Sequence, residues 1–139
     1  MAQPHGTRVL GQEHHSTVTA ASALAKKDMV ATTEATGTNT VDNAATNVAV
    51  FGFTTEAIAS AATGDADRLF PGDQFWVFVA SGTVAASTVG KFADINNELG
   101  ITLTASNNDV RVMGWDGAVT NYCIVEFGTP ESATPTILA

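Results

Sequence analysis

The chain has 139 residues, of which 45% are hydrophobic and 14% charged, and 14 acidic against 6 basic side chains give a formal net charge of −8. That length suits one compact domain able to bury roughly two-thirds of its unfolded surface, with no need of a disulfide or a metal to fold. The acidic balance excludes nucleic acid as a partner, because phosphate tracking rests on clustered Lys and Arg, and no run approaches the ~20 apolar residues of a membrane span.

Residues 1–16 contain Pro4, Gly6, Gly11 and the pair His14-His15, with no periodicity over a useful length, and are expected to form an extended N-terminal arm. The start of the chain carries no apolar core of signal-peptide length, so synthesis and assembly in a cytoplasm is the expectation. Residues 17–30 are open to two readings. Ala, Leu and Lys favour a short helix, whereas Thr17, Val18 and Thr19 favour a strand followed by a turn at Lys26-Lys27-Asp28. The small polar run 31–45 reads as a long surface loop. Val48, Val50 and Phe51-Gly52-Phe53 suggest a strand bulged at the glycine, which 55–62 extends or follows as a short helix. Residues 63–67 read as a turn.

Beyond Leu69, a Pro71-Gly72 turn leads into the strongest strand, 74–80. Alternation puts Phe75, Val77 and Val79 on one face and Trp76, Phe78 and Ala80 on the other, so both faces need cover. Further strands are expected over 88–95, 101–106 and 110–113. Asp116-Gly117 has the chemistry of a hairpin turn, with 121–127 as the return strand. The tail 129–139, with two prolines, is expected to be flexible. Short strands at spacings of roughly ten residues predict a mainly β chain: a single antiparallel β-sandwich or small β-barrel domain over 17–128, flanked by arm and tail.

Catalytic and metal chemistry find little support. Cys123 is the one cysteine and lies in the apolar run Tyr122-Cys123-Ile124-Val125, where burial is expected. On an extended chain His14 and His15 point to opposite sides, and their spacing with His5 and Glu13 matches no zinc motif. Asp65, Asp67 and Asp73 lack the glycine and closing glutamate of a calcium loop, since those positions hold Phe70 and Trp76. There is neither a Gly-x-Ser-x-Gly elbow nor a phosphate loop. No cofactor, no metal and no enzymatic activity are expected. Trp76 and Trp115 are open to three readings: core, protein contact or sugar stacking. The candidate protein interface is Phe75, Trp76, Phe78 and Trp115, with His14 and His15 of the arm.

The stretch from Phe70-Pro71-Gly72-Asp73 through the aromatic strand, then Ser81-Gly-Thr-Val-Ala-Ala-Ser-Thr-Val-Gly-Lys-Phe-Ala-Asp-Ile95, Gly100 to Asp116 and the strand ending at Phe127, resembles the small β-rich head decoration (cement) proteins of tailed bacteriophages. The resemblance covers the C-terminal half best. It implies a virion structural protein on the outer surface of the capsid. Such a protein clamps the major capsid protein against internal pressure, commonly as a homotrimer. Other virion roles (tail tube, spike or head–tail joining component) and a carbohydrate-binding module are the alternatives. Repeated weak contacts and ordering arms suit such a role.

Overall fold

Short runs of alternating apolar and hydroxyl residues, cut by Gly, Asn and Asp, favour strands over helices, and the described residues contain no α-helix. The computed structural model describes residues 5–32, 39–45, 50–104, 108–115 and 121–128. The strands are β1 Thr7–Leu10, β2 His15–Ala20, β3 Met29–Thr32, β4 Thr40–Asn43, β5 Val50–Thr54, β6 Thr63–Arg68, β7 Gln74–Ser81, β8 Phe92–Asn97, β9 Gly100–Thr102, β10 Val110–Gly114 and β11 Tyr122–Phe127. One 3₁₀ turn, Ala86–Thr88, precedes β8.

The strands close into two small barrels in tandem. The first runs β2-β4-β3-β5-β6 and returns to β2; in the second, β7-β11-β10-β8-β9 closes through a pairing of β9 with β7. Their connectivity is the same. In each, the first strand pairs parallel with the third and antiparallel with the fifth. The second strand lies antiparallel between the third and fourth, and the fourth pairs with the fifth. Closure leaves few strand edges to template aggregation. The exception is β1, which pairs antiparallel with the first half of β7.

The chain is therefore mainly β, in line with its turn spacing, but several expected elements differ. Residues 17–30 take the strand-then-turn alternative, and Lys27 adopts φ +69° in the turn. Residues 63–67, expected as a turn, are strand β6. Gly64, Asp65 and Asp67 are turn formers, yet Ala66 points into the first barrel, and pairing with β2 and β5 overrides local preference. The loop expected over 31–45 contains the end of β3 and all of β4 among its described residues. Residues 55–62 form no helix, and Ile58 bridges back to Leu24. The strand expected over 88–95 begins only at Phe92. Of the segment expected as an arm, the described part carries β1 and the start of β2 and is bonded into the body. The turn at Asp116-Gly117 and the tail 129–139 lie outside the described residues, although β10 and β11 do pair as a hairpin requires.

Two apolar clusters hold the chain together. Val18, Leu24, Val30, Val41, Phe51 and Ile58 fill the first barrel. The larger cluster fills the second and takes in Met29, Ala44, Val50, Phe53 and Leu69 from the first half, so the barrels share a core. Strand β5 serves both. Its register with β3 places Val30 opposite Gly52 and Ala31 opposite Val50, leaving Phe51 as an extra, bulged residue. The bulge turns Phe51 into the first barrel and Phe53 into the joint core, where Phe53 stacks on Phe75 at 4.5 Å. Cys123 is fully buried there, and burial pushes its thiol up to about 12.

Gly52 permits this arrangement because a Cβ on it would lie 2.1 Å from the Asp67 carbonyl oxygen of β6. Gly52→Ala is expected to lower the free energy of chemical unfolding by about 1–3 kcal/mol, the usual range for overpacking. An unchanged denaturation midpoint would contradict the close strand approach.

Candidate functional site: an arginine joint and an aromatic face

Arg8 stands where the two barrels meet. From β1 its guanidinium grips Asp67 of β6 with two hydrogen bonds, Nη2 to Oδ1 at 2.8 Å and Nε to Oδ2 at 3.1 Å. Its Nη1 reaches Asp73 Oδ2 at 2.9 Å, just ahead of β7, and its plane lies 4.6 Å from the Phe75 ring centroid. These side chains are only about one-tenth exposed. Burial opposes the charge, but the hydrogen bonds and charges of Asp67 and Asp73 outweigh it and raise the Arg8 pKa above its ordinary value.

The carboxylates are themselves well supplied. Asp67 accepts the His14 backbone N–H, and Asp73 accepts the Phe70 N–H across the Pro71-Gly72 turn. Gly11 passes so close, at φ +100°, that a Cβ there would strike the Asp73 carboxylate and the Arg8 guanidinium. Asp67 and Asp73, weighed from the sequence as calcium ligands, are thus ion-pair partners of an arginine.

The two histidines diverge, as adjacent residues on an extended chain must. The His14 ring lies 4.4 Å from the Phe70 ring, whose other neighbour is the Arg68 guanidinium at 5.5 Å. His15 instead meets Asp65 through Nδ1 at 2.6 Å and Glu13 through Nε2 at 3.3 Å. Those bonds, Asp65 first, raise the His15 pKa above its ordinary 6.5. Against its partial desolvation, the Thr55 hydroxyl and His15 hold Asp65 below the usual carboxylate range. Among the described residues no group of three His, Cys, Asp or Glu is placed to hold a metal ion.

The 74–80 strand divides as its alternation requires. Phe75, expected among the interface residues, is 1% exposed and packs between Phe53 and Phe127, so it presents no surface. It faces inward with Val77 and Val79 because β7 curves around the second core. Trp76 and Phe78 face outward and remain half-buried. Trp115 is half-buried too, but leans on the core. Beside Trp76 and Phe78 stand Ile124 and Tyr122 of β11, in register with them, and the Tyr122 ring meets Phe78 at 5.5 Å. Sequence reasoning missed these two. Alternation in Tyr122-Cys123-Ile124-Val125 carries the signal, but only the β7–β11 register reveals it.

The repeated topology supplies an internal comparison. In the first barrel the equivalent strand pair, β2 with β6, shows Thr17–Asp65 and Thr19–Thr63 outward, with His15 exposed and its register partner Asp67 buried at the joint. In the second, the same pair shows Gln74–Glu126, Trp76–Ile124 and Phe78–Tyr122. The architecture therefore tolerates a polar outer face there, and the aromatic one is a feature of the second barrel alone.

No protein-family model matches the chain, and no curated protein sequence matches it. Among solved structures, the chain is similar to the N base of the head fiber gp8.5 in bacteriophage phi29. The TM-score is 0.61 at 10% sequence identity, covering 91% of this chain and 100% of that one. The likeness is one of fold.

Replacing Arg8 with Met leaves two carboxylates buried at the joint, and the expected loss is about 3–5 kcal/mol of unfolding free energy, measured by denaturant titration. Adding Asp67→Asn to Arg8→Met is expected to cost less than the sum of the single changes. At the exposed site, the His15 imidazole followed by NMR is expected to titrate above 6.5. Its stabilising contribution is then complete below the unfolded value and fades as pH rises through the raised one, a dependence that His15→Gln abolishes.

Proposed function

We propose that this chain is a phage virion structural protein that sits on the outer surface of the head. Its role there is that of a decoration protein, stabilising the capsid by binding the major capsid protein, with no catalytic step. Support comes from a fold similar, over nearly the whole chain, to the base of a phage head fiber. The observation that carries the reading is the aromatic outer face Trp76, Phe78, Tyr122 and Ile124, set against a polar face at the equivalent place in the first barrel. Aromatic side chains in such a cluster supply the desolvated centre of a protein interface. Self-association as a homotrimer would multiply each weak contact on a symmetric lattice. The net charge of −8 disfavours attachment through nucleic acid or an anionic membrane.

The neighbour's description as a fiber base favours a second reading, in which the chain anchors a projecting fiber instead of lying flush on the head.

The test uses filled heads stripped of the protein. Added protein is expected to co-sediment with them and to raise the temperature at which they release DNA. Truncating Trp76 and Phe78 to Ser should weaken binding by about thirtyfold or more, the scale of a lost aromatic anchor of ~2 kcal/mol. Thr17→Val on the polar face should bind as wild type does. Electron microscopy of labelled particles separates the readings: label flush on the head supports decoration, label at the root of a projection supports a fiber base, and label confined to the tail overturns both.

A further inference from the structure

Strand β7 changes partner along one edge. Over Gln74 to Trp76 that edge pairs with β1, and from Val79 to Ser81 it pairs with β9. The Gly6 N–H bonds the Trp76 carbonyl at the end of the first pairing, and Gly100 backs onto the Phe78 carbonyl at the start of the second. Between them the Phe78 N–H has no strand to bond, and a buried amide without a partner is costly. His5 fills the gap: its Nδ1 accepts the Phe78 N–H at 3.0 Å. Its Nε2 lies 3.2 Å from the Glu98 carbonyl, which also accepts the Met29 N–H from the first barrel. The ring is 8% exposed and meets the edge of Phe53 at 5.7 Å. His5 thus touches both barrels at their seam.

One protonation state fits. A neutral imidazole with its proton on Nε2 donates to Glu98 and accepts from Phe78; an imidazolium carries N–H at both nitrogens and would set Nδ1–H against the Phe78 N–H. We propose that His5 is an acid-released bolt: a proton taken up at Nδ1 expels the imidazole from the Phe78 amide, opens the branch point of β7 and loosens the joint between the barrels. Arg8, bonded to Asp67 and Asp73, keeps β1 in place, so the release is local to His5 and Gly6.

The surrounding charges agree. Lys27, from the turn ahead of β3, donates its ammonium to the Gly6 carbonyl and opposes a second cation beside it. Glu98 lies in the turn between β8 and β9, and near it Asp28 has its carboxyl pKa raised, first by burial and then by the charge of Glu98, against the Ala25 N–H that lowers it. For His5, burial dominates and lowers the pKa, the Glu98 carbonyl works the other way, and Lys27 adds to the lowering. Stability from neutral His5 is therefore complete above the unfolded value of about 6.5 and is lost as pH falls through that value toward the lower folded one.

Amide exchange by NMR, corrected for intrinsic rates, tests this on the whole chain. Between pH 7.5 and 5.0 the protection of the Phe78 and Gly6 amides is expected to fall about tenfold or more, while that of the core amide of Val125 holds. In His5→Asn, whose side-chain oxygen accepts the same bond without titrating, Phe78 protection should not depend on pH. Imidazole ¹⁵N shifts at pH 7.5 should show the proton on Nε2, a measurement that needs no variant. Unchanged Phe78 protection at pH 5.0, an equal fall in His5→Asn, or a proton on Nδ1 at pH 7.5 would each overturn the proposal.

Discussion

The structure turns on one buried ion cluster, Arg8 with Asp67 and Asp73. Two small barrels joined by the segment between Arg68 and Gln74 would hinge about it, since neither barrel alone fixes the angle of the other. The guanidinium ties the last strand of the first barrel to the threshold of the second, and it arrives from a strand already paired to β7. A planar fork suits this task better than a lysine would, because it meets one carboxylate with two bonds and still reaches another. Buried charges of this kind add little net stability over an apolar substitute, but breaking one side is costly, so they fix geometry.

The apolar contribution to the joint is the stack of Phe53 on Phe75, one ring from each barrel. The bulge at Phe51 makes it possible by letting neighbouring aromatics of β5 face different cores. Polar clamp and shared core thus act at the same seam, and His5 closes its far side. The barrels behave as one body because three different interactions converge on the gap between them.

The repeated strand order gives the surface its meaning. Two copies of one topology that differ in outer face separate what closing a small barrel requires from what is added to it. Inward positions in both are mainly Val, Phe, Ile, Leu and Ala, as closure demands. Outward, one copy carries threonines and an ion pair, the other Trp76, Phe78, Tyr122 and Ile124. Closing the barrel therefore does not require the aromatic face.

Much of this was written locally. Alternation in 74–80 assigned Phe75 and Trp76 to opposite faces, and the turn at Pro71-Gly72 was legible because its chemistry acts within four residues, whereas the turn at Lys26-Lys27-Asp28 was one of two open readings that folding decided. Which face of β7 was inward was not legible, since both are apolar and only curvature around the second core decides it. The strand character of β6 was hidden under Gly and Asp residues whose preference for turns is overruled by partners far away in the chain. Arg8 gave no local sign, for its partners lie about sixty residues on. By itself the sequence determined a mainly β chain of short strands with an aromatic ribbon, because side-chain alternation and turn chemistry are short-range. Tertiary structure alone decided that the strands close twice, that an arm becomes the fastener between the two rings, and that Tyr122 and Ile124 stand beside Trp76 and Phe78. Those outcomes depend on register and charge pairing between residues that only folding brings together.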